Sequence, residues 1–370
     1  EFMKKRFLGV LLSVAMVAAV LAGCGSSGAK ETAAPAGSET EAASEAASGE
    51  TEAAGNTGDV ITVGFSQVGA ESDWRTANSE SMKSTFSTEN GYNLIFDDAQ
   101  QKQENQIAAI RNFIQQEVDY IVLAPVTESG WDTVLQEAKD AEIPVIIVDR
   151  MVNVSDDSLY TAWVGSNFKL EGQKACEWLK QYAAAKNMSE VNIVDIQGTI
   201  GASAQIGRTE ALNEAVEANG WNLLAQQTGE FTQAKGQEVM ESMLKQYDNI
   251  NVVYCENDNE AFGAIEAIKA AGKTVGPDGD ILVMSFDTTK QGITDTLSGD
   301  IIVNTECNPL HGPRVEQIIK QLQAGETPEK QAYVEEGIYA HGSDVASVSI
   351  DGTDYEVTEV TQDVVDARAY

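Results

Sequence analysis

The stretch VGFSQVGAESDWR (63–75) sets Trp74 beside Arg75 just past a short apolar run. A guanidinium donates a fixed fork of hydrogen bonds, and an indole offers a broad apolar face. As a pair they are either surface residues of the helix that follows or a stacking face and a donor fork aimed at one ligand. Similar residues follow the other apolar runs. Glu71 precedes the pair, Asp149 and Arg150 follow PVIIV, and Ser203 closes QGTIGAS. Phe231 comes after WNLLAQ, Asn257 after NVVYC, Asp287 after DILVMSF, and Glu306 ends DIIVNTE. Carboxylates accept from hydroxyls, arginine donates in a plane, and aromatic faces cover the C–H face of a ring. The set suits a small, neutral, hydroxyl-rich ligand.

These residues share a position because of the elements before them. Runs at 61–66, 92–96, 119–125 and 144–149 read as buried parallel strands, with helical patterns near 74–89, 103–117 and 130–141 between them. After 160–165 the pattern restarts, with strands at 191–196, 221–226, 251–255, 280–286 and 300–306. Helices lie near 168–186, 204–219, 232–247, 259–271, 289–297 and 312–323. Alternating units of this kind predict an α/β fold with helices on both faces of parallel sheets. In such sheets ligands bind beyond the carboxyl ends of the strands, where the residues named above fall. Each also has a plainer role. Asp149–Arg150 reads as a structural ion pair, Trp74 as helix packing, and Phe231 as a helix-start staple. Asn257 or Asp258 reads as a helix cap, and 201–203 as an ordinary helix start.

The first 58 residues read as targeting and tether. Glu1 and Phe2 precede Met3 as a cloning remnant, and a basic, then apolar, leader runs to LAGC, with Cys24 the last residue of that motif. Residues 1–23 are expected to be a signal peptide. Residues 24–58, rich in Ser, Ala, Glu and Gly, cannot bury enough surface to order, and read as a flexible acidic tether. GCGSSG (23–28) matches GxGxxG but follows no strand of a βαβ unit, so no dinucleotide site is assigned. With 58 acidic against 24 basic residues the formal charge is −34, which repels phosphate backbones and excludes nucleic acid as a partner. Cys176, Cys255 and Cys307 form neither a disulfide framework nor a zinc spacing and read as buried small residues.

Catalysis has little support. His311 and His341 are isolated, and HExxH, GxxxxGK[ST] and GxSxG are absent. Paired carboxylates at the strand ends leave a glycosidase as the rival. No catalytic residue, metal or cofactor is assigned.

The motifs SQVGAESDWRTA (66–77), QQKQENQ (100–106), EAKDAEIPV (137–145), QGTIGAS (197–203) and GQEVMES (236–242) carry a further signal. With them the chain resembles the type I periplasmic sugar-binding proteins of ABC importers, the ribose- and galactose-binding group, and within it the galactofuranose binders. The resemblance implies two Rossmann-like lobes, each a parallel sheet flanked by helices, joined by a three-crossing hinge that shuts on a sugar. The lobes are expected at 59–165 plus 307–334 and at 166–306 plus 335–370. It implies that Trp74 and Arg75 contact the sugar from the first loop and that Asp149 and Arg150 grip ring hydroxyls. Phe231 stacks, Asn257 and Asp287 hydrogen-bond, and Glu306 makes a polar contact near the hinge. Two departures, Ile206 where ribose binders have arginine and Trp74–Arg75 where they have two phenylalanines, favour a furanose such as galactofuranose over ribose, with arabinofuranose next. LAGC resembles a lipobox, which implies a monomeric lipoprotein anchored to the cell membrane through a lipid on Cys24 and serving an ABC permease. The alternative is a sensor presenting the sugar to a membrane kinase or chemoreceptor. The final stretch departs from the group, and its DG reads as an added hairpin.

Overall fold

The computed structural model describes residues 60–370. The leader, the tether and Cys24 lie outside them. Among the described residues no helix is long and apolar enough to cross a membrane.

The chain opens with β1 (Ile61–Gln67), α1 (Asp73–Thr85), β2 (Tyr92–Asp98), α2 (Gln103–Gln115), β3 (Tyr120–Leu123), α3 (Asp132–Asp140), β4 (Val145–Val148) and β5 (Ala162–Gly165). It continues through α4 (Phe168–Ala185), β6 (Asn192–Gln197), α5 (Ser203–Asn219), β7 (Asn222–Thr228), α6 (Gln233–Gln246) and β8 (Val252–Cys255). Then come α7 (Asp258–Ala270), β9 (Leu282–Asp287), α8 (Lys290–Ser298), β10 (Val303–Glu306), α9 (Gly312–Gln323) and β11 (Gln331–Tyr333). β12 (Ile338–Ala340), β13 (Ser347–Ile350), β14 (Thr353–Glu359) and α10 (Gln362–Ala367) follow.

Two sheets result. The first has the order β11-β5-β4-β3-β1-β2, and all its pairings are parallel. Its central strands are apolar throughout because helices cover both faces, and VIIV of β4 is buried along its whole length. The second has the order β13-β14-β12-β10-β9-β8-β6-β7. It is parallel except where β12 meets β10 and where β13 and β14 form the hairpin. Asp351 and Gly352 turn that hairpin with φ of 50° and 82°, the left-handed pair that DG supplies readily. One apolar cluster packs on each face of each sheet. Helices α6 and α7 approach closely because Gly263 faces the Gln233 carbonyl, which an added Cβ would meet at 2.2 Å.

The chain passes between the sheets three times, after β5, β10 and β11. Glu336, on the third passage, ties all three together. Its Oε1 accepts from the Ser166 hydroxyl at 2.6 Å and from the Asn308 N–H at 2.7 Å.

Candidate functional site

The carboxyl ends of both sheets face one cavity. Glu71, Trp74, Arg75, Asp149 and Arg150 line it from the first sheet, and Phe231, Asn257 and Asp287 from the second. Ser72, Phe168, Ala204, Arg208 and Cys307 complete the wall. About 290 Å³ lies between these side chains, drawn in so far that the centre of a water molecule fits in only about 20 Å³ of it. A molecule the size of a monosaccharide would fit only if the lobes parted or the guanidiniums swung aside.

The backbone at the strand ends explains why these side chains converge. Asp149, Phe231 and Asp287 have φ of 62°, 61° and 101°, in the region that non-glycine residues rarely occupy. Each turns its chain sharply out of a parallel strand. Such conformations persist where the surroundings over-determine them, and they cluster at ligand clamps. Buried Glu260 holds one of them, its Oε1 accepting the Phe231 N–H at 2.8 Å. Gly198 leaves room for that ring, since an added Cβ would lie 1.9 Å from Phe231 Cζ.

In the first lobe the charges form a tight group. Arg75 Nε donates to Glu71 Oε1 at 2.9 Å, and Nη1 donates to Gln67 Oε1 at 3.3 Å. Nη2 lies 2.8 Å from Asp149 Oδ2, but that oxygen has no aligned hydrogen bond. Burial alone would raise the Asp149 carboxyl, but the Arg75 and Arg150 guanidiniums outweigh it and hold it below its usual range. Burial and the neighbouring Arg75 bring Arg150 down to about 10. Its Nη1 donates to the Val126 carbonyl at 2.9 Å, and its guanidinium lies 5.0 Å from the Phe231 ring centroid of the other lobe. Trp74 is 4% exposed, its ring 4.6 Å from the Arg75 guanidinium. Its indole N–H donates to the Cys307 carbonyl at 2.6 Å, so it fastens α1 to the second chain passage.

In the second lobe Arg208 is the central cation. Its Nε donates to Glu171 Oε2 at 2.8 Å, Nη1 donates to the Glu256 carbonyl, and Nη2 lies 3.6 Å from Asp287 Oδ1. Burial pushes the Asp287 carboxyl well up despite Arg208. Asn257 lines the cavity while also serving its plainer role. Its Oδ1 caps α7 through the Glu260 N–H at 2.9 Å, and its amide donates to the Phe231 carbonyl at 3.1 Å.

Ser203 and Glu306 are not brought to the cavity wall. The Ser203 Oγ accepts the Met151 N–H at 2.9 Å, a bond from one lobe to the other. The carboxylate of Glu306 turns away to Gly337, Arg368 and Tyr370. Arg208 and Phe168 lay outside the strand-end reading because they stand inside or at the start of helices. Arg208 follows Ala204 by one helical turn on the same face, which was the available signal. Ile206 itself is not among the lining residues. An arginine does reach the cavity from this helix, two residues further on, whereas Ile206 is 39% exposed. The three remaining cysteines are buried and free, and Cys307 lines the cavity as well as filling space.

The arrangement offers planar donors, carboxyl acceptors and three aromatic faces. A periplasmic binding protein domain model matches residues 63–305. The chain is 42% identical over 284 residues to the galactofuranose-binding protein YtfQ of Escherichia coli K12, covering 75% of this chain and 87% of that one. A Mycobacterium smegmatis crystal structure in complex with β-D-fucofuranose is 43% identical, with a TM-score of 0.73 over 76% of this chain and 91% of that one. The binding component of the arabinose ABC transporter of Shewanella sp. ANA-3, bound to α- and β-L-arabinofuranose, is 42% identical. Its TM-score is 0.71, over 76% of this chain and 92% of that one. With its two helix-flanked, largely parallel sheets meeting at a charged and aromatic cavity, the chain belongs to the periplasmic binding protein family, type I fold.

Proposed function

We propose that this protein captures a monosaccharide in its furanose form between its lobes and delivers it, unchanged, to an ABC permease. Galactofuranose is the first candidate, and arabinofuranose or ribose the next. The observation that carries this reading is the convergence of Arg75, Arg150 and Arg208 with Asp149, Asp287 and Glu71 beneath Trp74, Phe168 and Phe231. Every cation there has a carboxyl partner, which suits neutral hydroxyls better than a phosphate or an ammonium group. The Cys307 thiol is pushed well up by burial, which leaves it a poor nucleophile.

Calorimetry on the wild type, Trp74→Ala and Arg75→Ala with the three sugars tests the site. A hydrogen bond to a charged group contributes about 1.5–3 kcal/mol, so Arg75→Ala should bind roughly 10- to 150-fold more weakly. Equal binding by all three proteins places the site elsewhere, and saturable turnover lost in Asp149→Asn makes the protein an enzyme. A lipid anchor on Cys24 belongs to the same reading, and an intact mass showing an unmodified Cys24 on the mature chain rejects it.

A further inference from the structure

We infer that Arg368 and Tyr370 are positioning residues for the ligand site, acting through Glu306 at the hinge without touching the cavity. Glu306 ends β10 opposite Asp287, a cavity residue, and is followed by Cys307, whose carbonyl holds the Trp74 indole. Glu306 also clips the second chain passage to the third. Its N–H donates to the Gly337 carbonyl at 3.0 Å, and its Oε2 accepts the Gly337 N–H at 2.9 Å.

The other oxygen is held from α10 onward. Oε1 accepts from Arg368 Nη1 at 2.8 Å and from the Tyr370 hydroxyl at 2.7 Å. The Arg368 guanidinium lies over the rings of Tyr339 and Tyr370, 4.8 and 5.0 Å from their centroids. The Arg368 and Glu306 side chains are only 8% and 12% exposed, where charge-assisted bonds are strong. Burial opposes the Glu306 carboxylate, but the Gly337 N–H, Tyr370 and Arg368 together hold its carboxyl below the usual range. The segment itself is anchored, because Val360 and Val365 pack on Ile293 and the Lys290 ammonium donates to the Val365 carbonyl. It lies beyond the residues matched by the family model. Without Arg368 and Tyr370, Glu306 Oε1 would be left nearly buried and unpaired. Its strand end would relax, and with it the carbonyl that orients Trp74.

The test uses the full chain with Arg368→Gln, Tyr370→Phe, their combination, and Arg368→Lys. Its affinity arm rests on the sugar-binding reading; its hydrogen-exchange arm does not. In the ligand-free double variant, exchange at the Glu306 and Gly337 amides should quicken while the amides of β1 and β6 stay as in the wild type. Affinity for whichever sugar the wild type binds should fall about tenfold, or about 1.4 kcal/mol, through faster dissociation. Arg368→Lys, which keeps a cation beside Glu306, should recover most of it. Unchanged exchange overturns the inference, and so does faster exchange with unchanged affinity. If the wild type binds none of the three sugars, the functional reading fails instead. The radius of gyration from small-angle scattering then decides the hinge claim, being larger in the double variant if the hinge is loosened and equal if it is not.

Discussion

Arg208 shows at the level of one residue how the site depends on partners. Among the described residues it carries the only cation in salt-bridge contact with buried Glu171, and Glu171 Oε1 already lacks a hydrogen bond. Breaking a buried pair costs about 3–5 kcal/mol because a charge is left without compensation. Arg208→Ala is therefore expected to destabilise the second lobe and to abolish measurable sugar binding. Ile206→Arg is expected to leave affinity within about twofold, since Ile206 is 39% exposed and the change is a surface one. Thermal unfolding and calorimetry on the two variants check both. An Ile206→Arg protein that gains affinity for ribose would show instead that position 206 reaches the ligand.

At the scale of elements, the strand-to-helix turns do the positioning. The loop after β6 and the left-handed turn after β7 interlock through Gly198 and Phe231. A Cβ at position 198 has no space unless the ring moves. Gly198→Ala is expected to cost about 1–3 kcal/mol by overpacking and to weaken sugar binding by turning Phe231 out of the cavity. In a Phe231→Ala background the same change should cost little, because contacting residues are not additive. A full and equal penalty in both backgrounds would disconnect the two turns.

For the whole molecule, buried carboxyls set the response to pH. Burial raises Asp195 from 3.8 to about 7 against its bond from Gln226, and raises Asp258 to about 6 against Ser285, Thr289 and Asn304. Burial also pushes Glu256 and Glu260 well up. For Asp195 the folded state keeps a proton between pH 3.8 and about 7 that the unfolded chain has released. Its contribution is thus full below 3.8 and lost as pH rises through about 7. The formal charge of −34 acts in the same direction through self-repulsion. Asp149 and Glu306, held low, act oppositely but below this range. His311, brought by burial from 6.5 down to about 4, opposes the trend as a single group against several raised carboxyls. The melting temperature should therefore be higher near about pH 5.5 than near about pH 8. Asp195→Asn should raise it at the upper pH and flatten the difference. A melting temperature that climbs steadily toward alkaline pH would contradict this.

The order of elements was legible because apolar runs and helical periods are local properties. The strands from β1 to β10 and the helices from α1 to α9 lie where the patterns put them, as does the hairpin at Asp351–Gly352. That polar and aromatic residues gather at strand ends was legible too, since a parallel sheet leaves its carboxyl ends open to a ligand. What local pattern does not carry is the direction in which a side chain leaves such an end. Glu306 and Asp287 are register partners at neighbouring strand ends, yet one faces the cavity and the other faces Gly337 and Arg368. Hydrogen bonds spanning 31 and 62 residues made that choice. Phe168 and Arg208 entered the site for the complementary reason: they stand on helices, at the start of α4 and inside α5, and only tertiary packing brings those helices against the strand ends. The residue types and their alternation determined the fold and the chemistry on offer. The packing of distant segments decided which of those groups meet, because a buried polar atom takes the partner that tertiary structure brings within reach.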